Sequence, residues 1–220
     1  MNNIFLGNPP ENIVKWIREE AERKMLRTPL TFTAEQANST VRMASGASSA
    51  PAVYLETSRT GEEGSWTDFT VGSTTITLAN VGDKVYFRAK QDNASFGNMD
   101  DYNYFVMTGK IAASGNLNTL LKADGSVLDL TGRDYCYYNM FEGCSSLTKA
   151  PALPATTLAE DCYGSIFRDC KSLTQASFPN LGKDTVSTEV VINQYAFAGA
   201  ANDIETTCLD GTLVINSTAA

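Results

Sequence analysis

The chain of 220 residues contains no histidine. That absence removes Ser-His-Asp and Cys-His nucleophilic catalysis, the iron site built from two histidines and a carboxylate, and most catalytic zinc sites. No apolar run approaches the roughly eighteen residues of a membrane-spanning helix, so no membrane insertion is expected. The opening Met1 to Gly7 has no positively charged segment, and its apolar run Ile4 to Leu6 is too short for a signal peptide. No conventional export signal is therefore expected. Basic residues are few and scattered: 17 Lys and Arg stand against 25 Asp and Glu, for a net charge of −8. That balance argues against binding a phosphate backbone, and nucleic acid is not an expected partner. Carboxylate-pair chemistry needs no histidine, and acidic doublets occur at Glu62-Glu63 and Asp100-Asp101. Both lie among Gly and Asn residues and read as solvated turns, so no catalytic, cofactor or metal site is expected and the chain reads as a non-enzyme.

What is present divides the chain into three stretches, 1–28, 29–112 and 113–220. In the first, Asn8-Pro9-Pro10-Glu11 is a helix-start signal: an Asn cap, Pro at the first helical position and an acid where a capping box places one. A helix is expected from about Pro9 to Met25. Ile13, Val14, Trp16, Ile17, Ala21 and Met25 follow helical spacing, with Arg18, Glu19, Glu22 and Arg23 opposite. One face wants a partner, either the β region that follows or another protein. Ile13, Val14, Trp16 and Ile17 are the candidate docking residues.

From Leu30 to about Ala112 the pattern changes to short alternating runs at Leu30, Thr40, Val53, Thr67, Thr75, Lys84 and Tyr104, separated by Gly, Asn, Asp and Ser. Such spacing predicts a small antiparallel sandwich-like domain. Trp66, Phe69, Tyr86 and Phe87 read as strand core rather than a sugar platform.

The third stretch carries an internal repeat. Cys136-Tyr-Tyr-Asn-Met-Phe-Glu-Gly-Cys144-Ser-Ser-Leu147-Thr-Lys-Ala150 aligns without gaps on Cys162-Tyr-Gly-Ser-Ile-Phe-Arg-Asp-Cys170-Lys-Ser-Leu173-Thr-Gln-Ala176. The offset of 26 residues lies within the range of roughly 20–29 for leucine-rich repeats, in which stacked units bury a face that none can bury alone. A degenerate third copy is read at Tyr195 to Ala200, and Pro151 to Ala159 supplies an extended segment and a turn between the clear copies. The expected fold is mainly β: an N-terminal amphipathic helix, a sandwich-like domain and a short C-terminal leucine-rich-repeat solenoid.

The cysteines at 136, 144, 162 and 170 form two pairs of equivalent repeat positions, with Cys208 left over. Stacked strands lie about 4.8 Å apart, so Cys136 with Cys162 or Cys144 with Cys170 falls within disulfide range. The odd count, and cysteine's suitability as a small core residue, favour free buried thiols. Asn38, Asn93 and Asn216 head glycosylation triplets but read as turn chemistry. Tyr135, Tyr137 and Tyr138 are candidates for ligand contact, with burial in the stack the preferred alternative.

The phrase from Asn139 to Leu158 resembles the BspA-like leucine-rich repeats of gut Bacteroidetes and their tailed, crAss-like phages. Val81-Gly-Asp-Lys-Val-Tyr-Phe-Arg88 and Met107 to Asn116 resemble the β-rich preamble of that family, so the resemblance spans about Leu30 to Ile215. It implies a surface-displayed, non-enzymatic protein that contacts host surface glycans. Two clear repeats are fewer than the family often carries. Cell-surface members need export and an anchor, whereas a phage protein assembles in the host cytoplasm and leaves by lysis. The expectation is therefore a virion-surface protein, a head fibre or capsid decoration protein first and a tail fibre or bacterial adhesin as alternatives. Its expected partners are capsid or other virion proteins and further copies of itself, as a homo-oligomer.

Overall fold

The computed structural model describes residues 10–173, 175–177, 204–208 and 211–215. The opening peptide, the Asn8 cap, the third repeat copy at 195–200 and the Asn216 triplet lie outside them. Helix α1 spans Glu11–Arg27, shifted by two residues from expectation. Pro10 closes its first turn, its carbonyl accepting from the N–H groups of Ile13 and Val14 at 2.8 and 3.1 Å. Glu11 in the first turn and Lys24 and Arg27 in the last complement the helix dipole.

The rest is mainly β, arranged in two sheets. Seven strands arise from the seven alternating runs: β1 Leu30–Ala34, β2 Ser39–Ser45, β3 Leu55–Ser58, β4 Thr67–Phe69, β5 Thr75–Leu78, β6 Lys84–Ala89 and β7 Asn103–Thr108. The remainder are β8 Ile111–Ser114, β9 Leu147–Ala152, β10 Gln175–Ser177, β11 Ile204–Cys208 and β12 Gly211–Ile215. An antiparallel sheet has the order β5-β2-β7, and a mixed sheet runs β12-β11-β10-β9-β8-β1-β6-β3-β4. Alternation sends one side of each strand inward, as in β6, where Val85, Phe87 and Ala89 are buried. The sheets meet through aromatic edges: Phe105 of β7 packs against Phe32 of β1 at 4.9 Å and Phe87 of β6 at 5.4 Å.

Strand β8 joins the β region to the repeats. It pairs antiparallel with β1 on one side and parallel with β9 on the other, Ile111 lying opposite Leu147. The boundary expected between residues 112 and 113 thus falls inside a strand, and the buried cluster is continuous from Leu30 to Leu173. Behind β8, the buried Asn116 side chain gathers three segments. Its Nδ2 donates to the carbonyls of Leu26 and Gly125 at 2.8 and 3.1 Å, and its Oδ1 accepts from the Asn118 N–H at 2.7 Å. The last turn of α1 is held there.

The repeats themselves are neither helix nor strand between residues 133 and 144. Left-handed residues recur every fourth position at Tyr135, Asn139 and Gly143, and again at Asp161, Ser165 and Asp169, 26 residues on. Asn, Asp and Gly tolerate this region best, which explains most of these identities. Each such residue breaks the helix that a four-residue apolar period would otherwise suggest, and the backbone folds into overlapping turns. The N–H groups of Cys136, Tyr138, Met140, Glu142 and Cys144 donate to carbonyls three residues earlier. Those of Tyr135, Tyr137, Asn139, Phe141 and Gly143 donate to the next coil, at Glu160, Cys162, Gly164, Ile166 and Arg168. The β region enters the same scheme, since Phe96, Phe105 and Ile111 donate to Cys136, Met140 and Ser146 of the first coil. It supplies the layer on which the first coil rests.

Candidate binding surface

Side chains stack in register with this backbone. One column runs Phe96, Tyr137, Tyr163, with centroids 5.9 and 5.7 Å apart; another runs Phe105, Phe141, Phe167, at 5.3 and 5.5 Å. Tyr137 is fully buried, and its hydroxyl donates to Asn118 Oδ1 at 2.9 Å. Of the two readings open for Tyr137, burial in the stack holds and ligand contact does not: its ring is a rung of the core and touches a ligand only if the stack opens. Left-handed Tyr135 turns the chain so that Cys136 and Tyr137 face inward while Tyr135 and Tyr138 stay half-buried at the surface.

Tyr135 and Tyr138 are joined there by two residues that sequence reasoning did not single out as a site. Tyr102, in the loop before β7, lies 5.8 Å from Tyr138, and Tyr104, in β7, lies 5.5 Å from Tyr102. Tyr135 lies 5.7 Å from Tyr138. All four are half-buried, and Tyr138 stands edge-on to both Tyr102 and Tyr135. Glycines make room for this line. At Gly164, the repeat counterpart of Tyr138, a Cβ would come within 2.8 Å of the Tyr138 ring, and at Gly97 within 2.6 Å of the Tyr135 carbonyl oxygen. Tyr against Gly at matched repeat positions was the available signal.

Polar groups border the line. Tyr102 donates its hydroxyl to Glu142 Oε2 at 3.3 Å, and Glu142 pairs with Arg168 at 3.5 Å. Burial, with Glu142 nearby, raises the Tyr102 pKa, while Asn139 lowers it in part. Partial desolvation raises the Tyr135 pKa, followed by the charges of Glu160, Asp161 and Asp134. Asn139 is buried beneath, with an Oδ1 that has no hydrogen-bond partner. The turn at Asn98, whose Oδ1 accepts from the Asp100 and Asp101 N–H groups, projects Met99 with 75% of its surface exposed.

The acidic doublets divide. Glu63 is exposed in its loop and pairs with Arg88 at 2.7 Å, which lowers its pKa. Asp101 departs from the solvated-turn reading: it is buried, with Oδ1 accepting from the Tyr102 N–H and Oδ2 from Ser49. Phe69 and Phe87 are core, whereas Trp66 is half-buried beneath the Arg88 guanidinium at 4.0 Å. Asn93 is buried and bonded to Tyr54 and Leu120, so its triplet is internal architecture. Elsewhere, an open groove of about 550 Å³ lies between Tyr54, Asn103 and the Asp68–Lys90 pair. The docking residues Ile13, Val14, Trp16 and Ile17 are 44, 39, 58 and 54% exposed.

Cys136, Cys144, Cys162 and Cys170 are free and buried. Cys144 and Cys170 donate their thiols to the carbonyls of Phe105 and Phe141, one layer back, at 3.1 and 3.0 Å. Burial pushes Cys136, Cys144 and Cys162 up to about 12, and Cys170 well above its ordinary value. An unfolded thiol ionises near 9. Above that pH the unfolded chain loses protons that the folded chain keeps, so stability is full below pH 9 and falls toward pH 12. Each such thiol adds to the fall of stability with pH within that window. Urea midpoints should therefore drop between pH 8 and pH 10.5, and a Cys144→Ala variant should show a shallower drop. An unchanged midpoint would count against buried thiols.

No family model, curated protein or solved structure matches the chain.

Proposed function

We propose that the chain is a structural virion protein of a tailed bacteriophage, a head fibre or capsid decoration protein. In this reading the N-terminal helix docks on a capsid protein or a sister subunit. The sandwich-like β region passes through β8 into the repeats, which form a short leucine-rich-repeat solenoid of the BspA-like kind, displayed toward host surface glycans. The observation that carries the reading is the apolar face of α1. Ile13, Val14, Trp16 and Ile17 are left to solvent, while the far end of the same helix is tied to the body through Asn116. A helix of this kind is suited to burying its face against another protein.

Each large apolar side chain buried at such an interface contributes about 1.5–3 kcal/mol. Replacing Trp16 and Ile17 together by Ser is thus expected to lower incorporation into particles by at least about tenfold. The folded body should melt unchanged, because both side chains are exposed. Immunogold labelling with antibody to residues 111–220 is the companion measurement. Label on the capsid supports a head fibre or decoration protein, and label confined to the tail moves the assignment to an appendage. Label only on the envelope of uninfected cells replaces the virion reading with an adhesin. Incorporation unaffected by the double substitution would remove the docking role of the helix.

A further inference from the structure

We infer that the line Tyr104, Tyr102, Tyr138 and Tyr135 is a binding surface for an uncharged polysaccharide, laid across the junction between the β region and the first coil. The inference rests on the proposed function, which already takes glycans as the ligand; it narrows them to uncharged chains and names the residues that meet them. Sugar rings have apolar faces and hydroxyl edges, and tyrosine offers the complement: an apolar ring with a polar tip. Four such rings follow one another at 5.5, 5.8 and 5.7 Å. Successive rings are tilted or edge-on to one another, at 58, 77 and 79°, so the line offers a chain ligand a series of separate edges and faces rather than one flat platform.

The polar border suits hydroxyl groups. Glu142 and Arg168 form a pair beside Tyr102, offering an acceptor and donors to a ligand at the line. Charge selects among glycans. The charges of Asp134, Glu160 and Asp161 act on Tyr135, and Arg168 is tied to both Glu142 and Asp169. Anionic chains such as polyuronates would meet like charge, so the surface discriminates against them.

The line is also held rigid before any ligand arrives. Gly164 admits the Tyr138 ring, and Gly97 the Tyr135 carbonyl, only because they lack side chains. The peptides beneath are bonded to the adjacent layer, Tyr135 N–H to Glu160 and Asn139 N–H to Gly164, at 2.9 and 3.0 Å. Little side-chain freedom remains to be lost on binding, which favours recognition of a weak, repetitive ligand.

The test is affinity electrophoresis of the full chain through native gels containing dextran, mannan, galactomannan or polygalacturonate. Retardation is expected in at least one neutral gel and not in polygalacturonate. Tyr138→Ala and Tyr104→Ala should each weaken the affinity about tenfold, whereas Tyr54→Ala, in the separate groove, should leave it unchanged. Tyr104→Ala lies at the end of the line and guards against a folding defect in Tyr138→Ala, with thermal melts run alongside. The inference is overturned by migration unchanged in every neutral gel, by retardation that survives both substitutions, or by equal retardation in polygalacturonate. None of these outcomes bears on where immunogold label falls, so the display reading stands or fails separately.

Discussion

Phe141→Ala is expected to destabilise the protein by about 3–5 kcal/mol, the range for removing a buried phenylalanine from a packed core. Phe141 is fully buried, with Phe105 stacked on one face at 5.3 Å, Phe167 on the other at 5.5 Å and Phe32 edge-on at 6.3 Å. One substitution thus opens a cavity touching both sheets and both coils. Because the buried cluster runs unbroken from Leu30 to Leu173, the loss should appear as one shifted transition rather than two. Urea unfolding followed by near-UV and far-UV circular dichroism tests this. Two separated transitions, with the β region keeping its midpoint, would mean that the stretches on either side of β8 fold independently.

Gly115→Ala is the second large effect expected. Gly115 follows β8 with φ +77, a region that costs an L-residue about 1–2 kcal/mol. A Cβ there would sit 2.1 Å from the Pro29 carbonyl oxygen and 2.9 Å from the Pro29 carbonyl carbon, both backbone. Relieving that clash adds about 1–3 kcal/mol. The neighbouring chain bears the displacement, since the Asn116 N–H donates to the Thr28 carbonyl and the Ala152 N–H to the Gly115 carbonyl. The variant should lose thermal stability by several degrees and expose the link between α1 and the body to proteolysis near residue 28. A melt identical to wild type would show that this backbone gives way at no cost. Gly132 provides the control: it too has positive φ, at +73, but nothing lies within 4 Å of its would-be Cβ, so Gly132→Ala should lose the backbone contribution alone.

Much of the β region was legible because burial on one face of a strand writes itself into alternate residues. Leu30, Phe32 and Ala34, or Val85, Phe87 and Ala89, carry the pattern in consecutive letters. The repeat was legible for a related reason: equivalent positions 26 apart meet the same neighbours and keep the same residues, as Tyr137 and Tyr163 or Phe141 and Phe167 do. What escaped was contact between segments that do not repeat one another. Nothing local to Phe96 or Phe105 announces that they stand beneath Tyr137 and Phe141, and nothing in Tyr102 or Tyr104 points to Tyr138. Tyr137 and Tyr138 are adjacent in sequence yet opposite in fate, because the left-handed turn at Tyr135 sets which faces inward. Ile111 to Ser114 is too short and too rich in alanine to stand out, although its strand carries the join.

The layered hydrogen bonding fixes how such a protein can lengthen. The first coil receives N–H groups from the β region and offers its own to the second coil, so an added unit fits only if it presents the same row of carbonyls and N–H groups. Successive layers advance by about 4.8 Å, whereas the same 26 residues in a helix would extend about 39 Å. Adding layers is therefore an inefficient way to gain length and an effective way to gain surface: each new layer widens the face along which side chains can be arrayed.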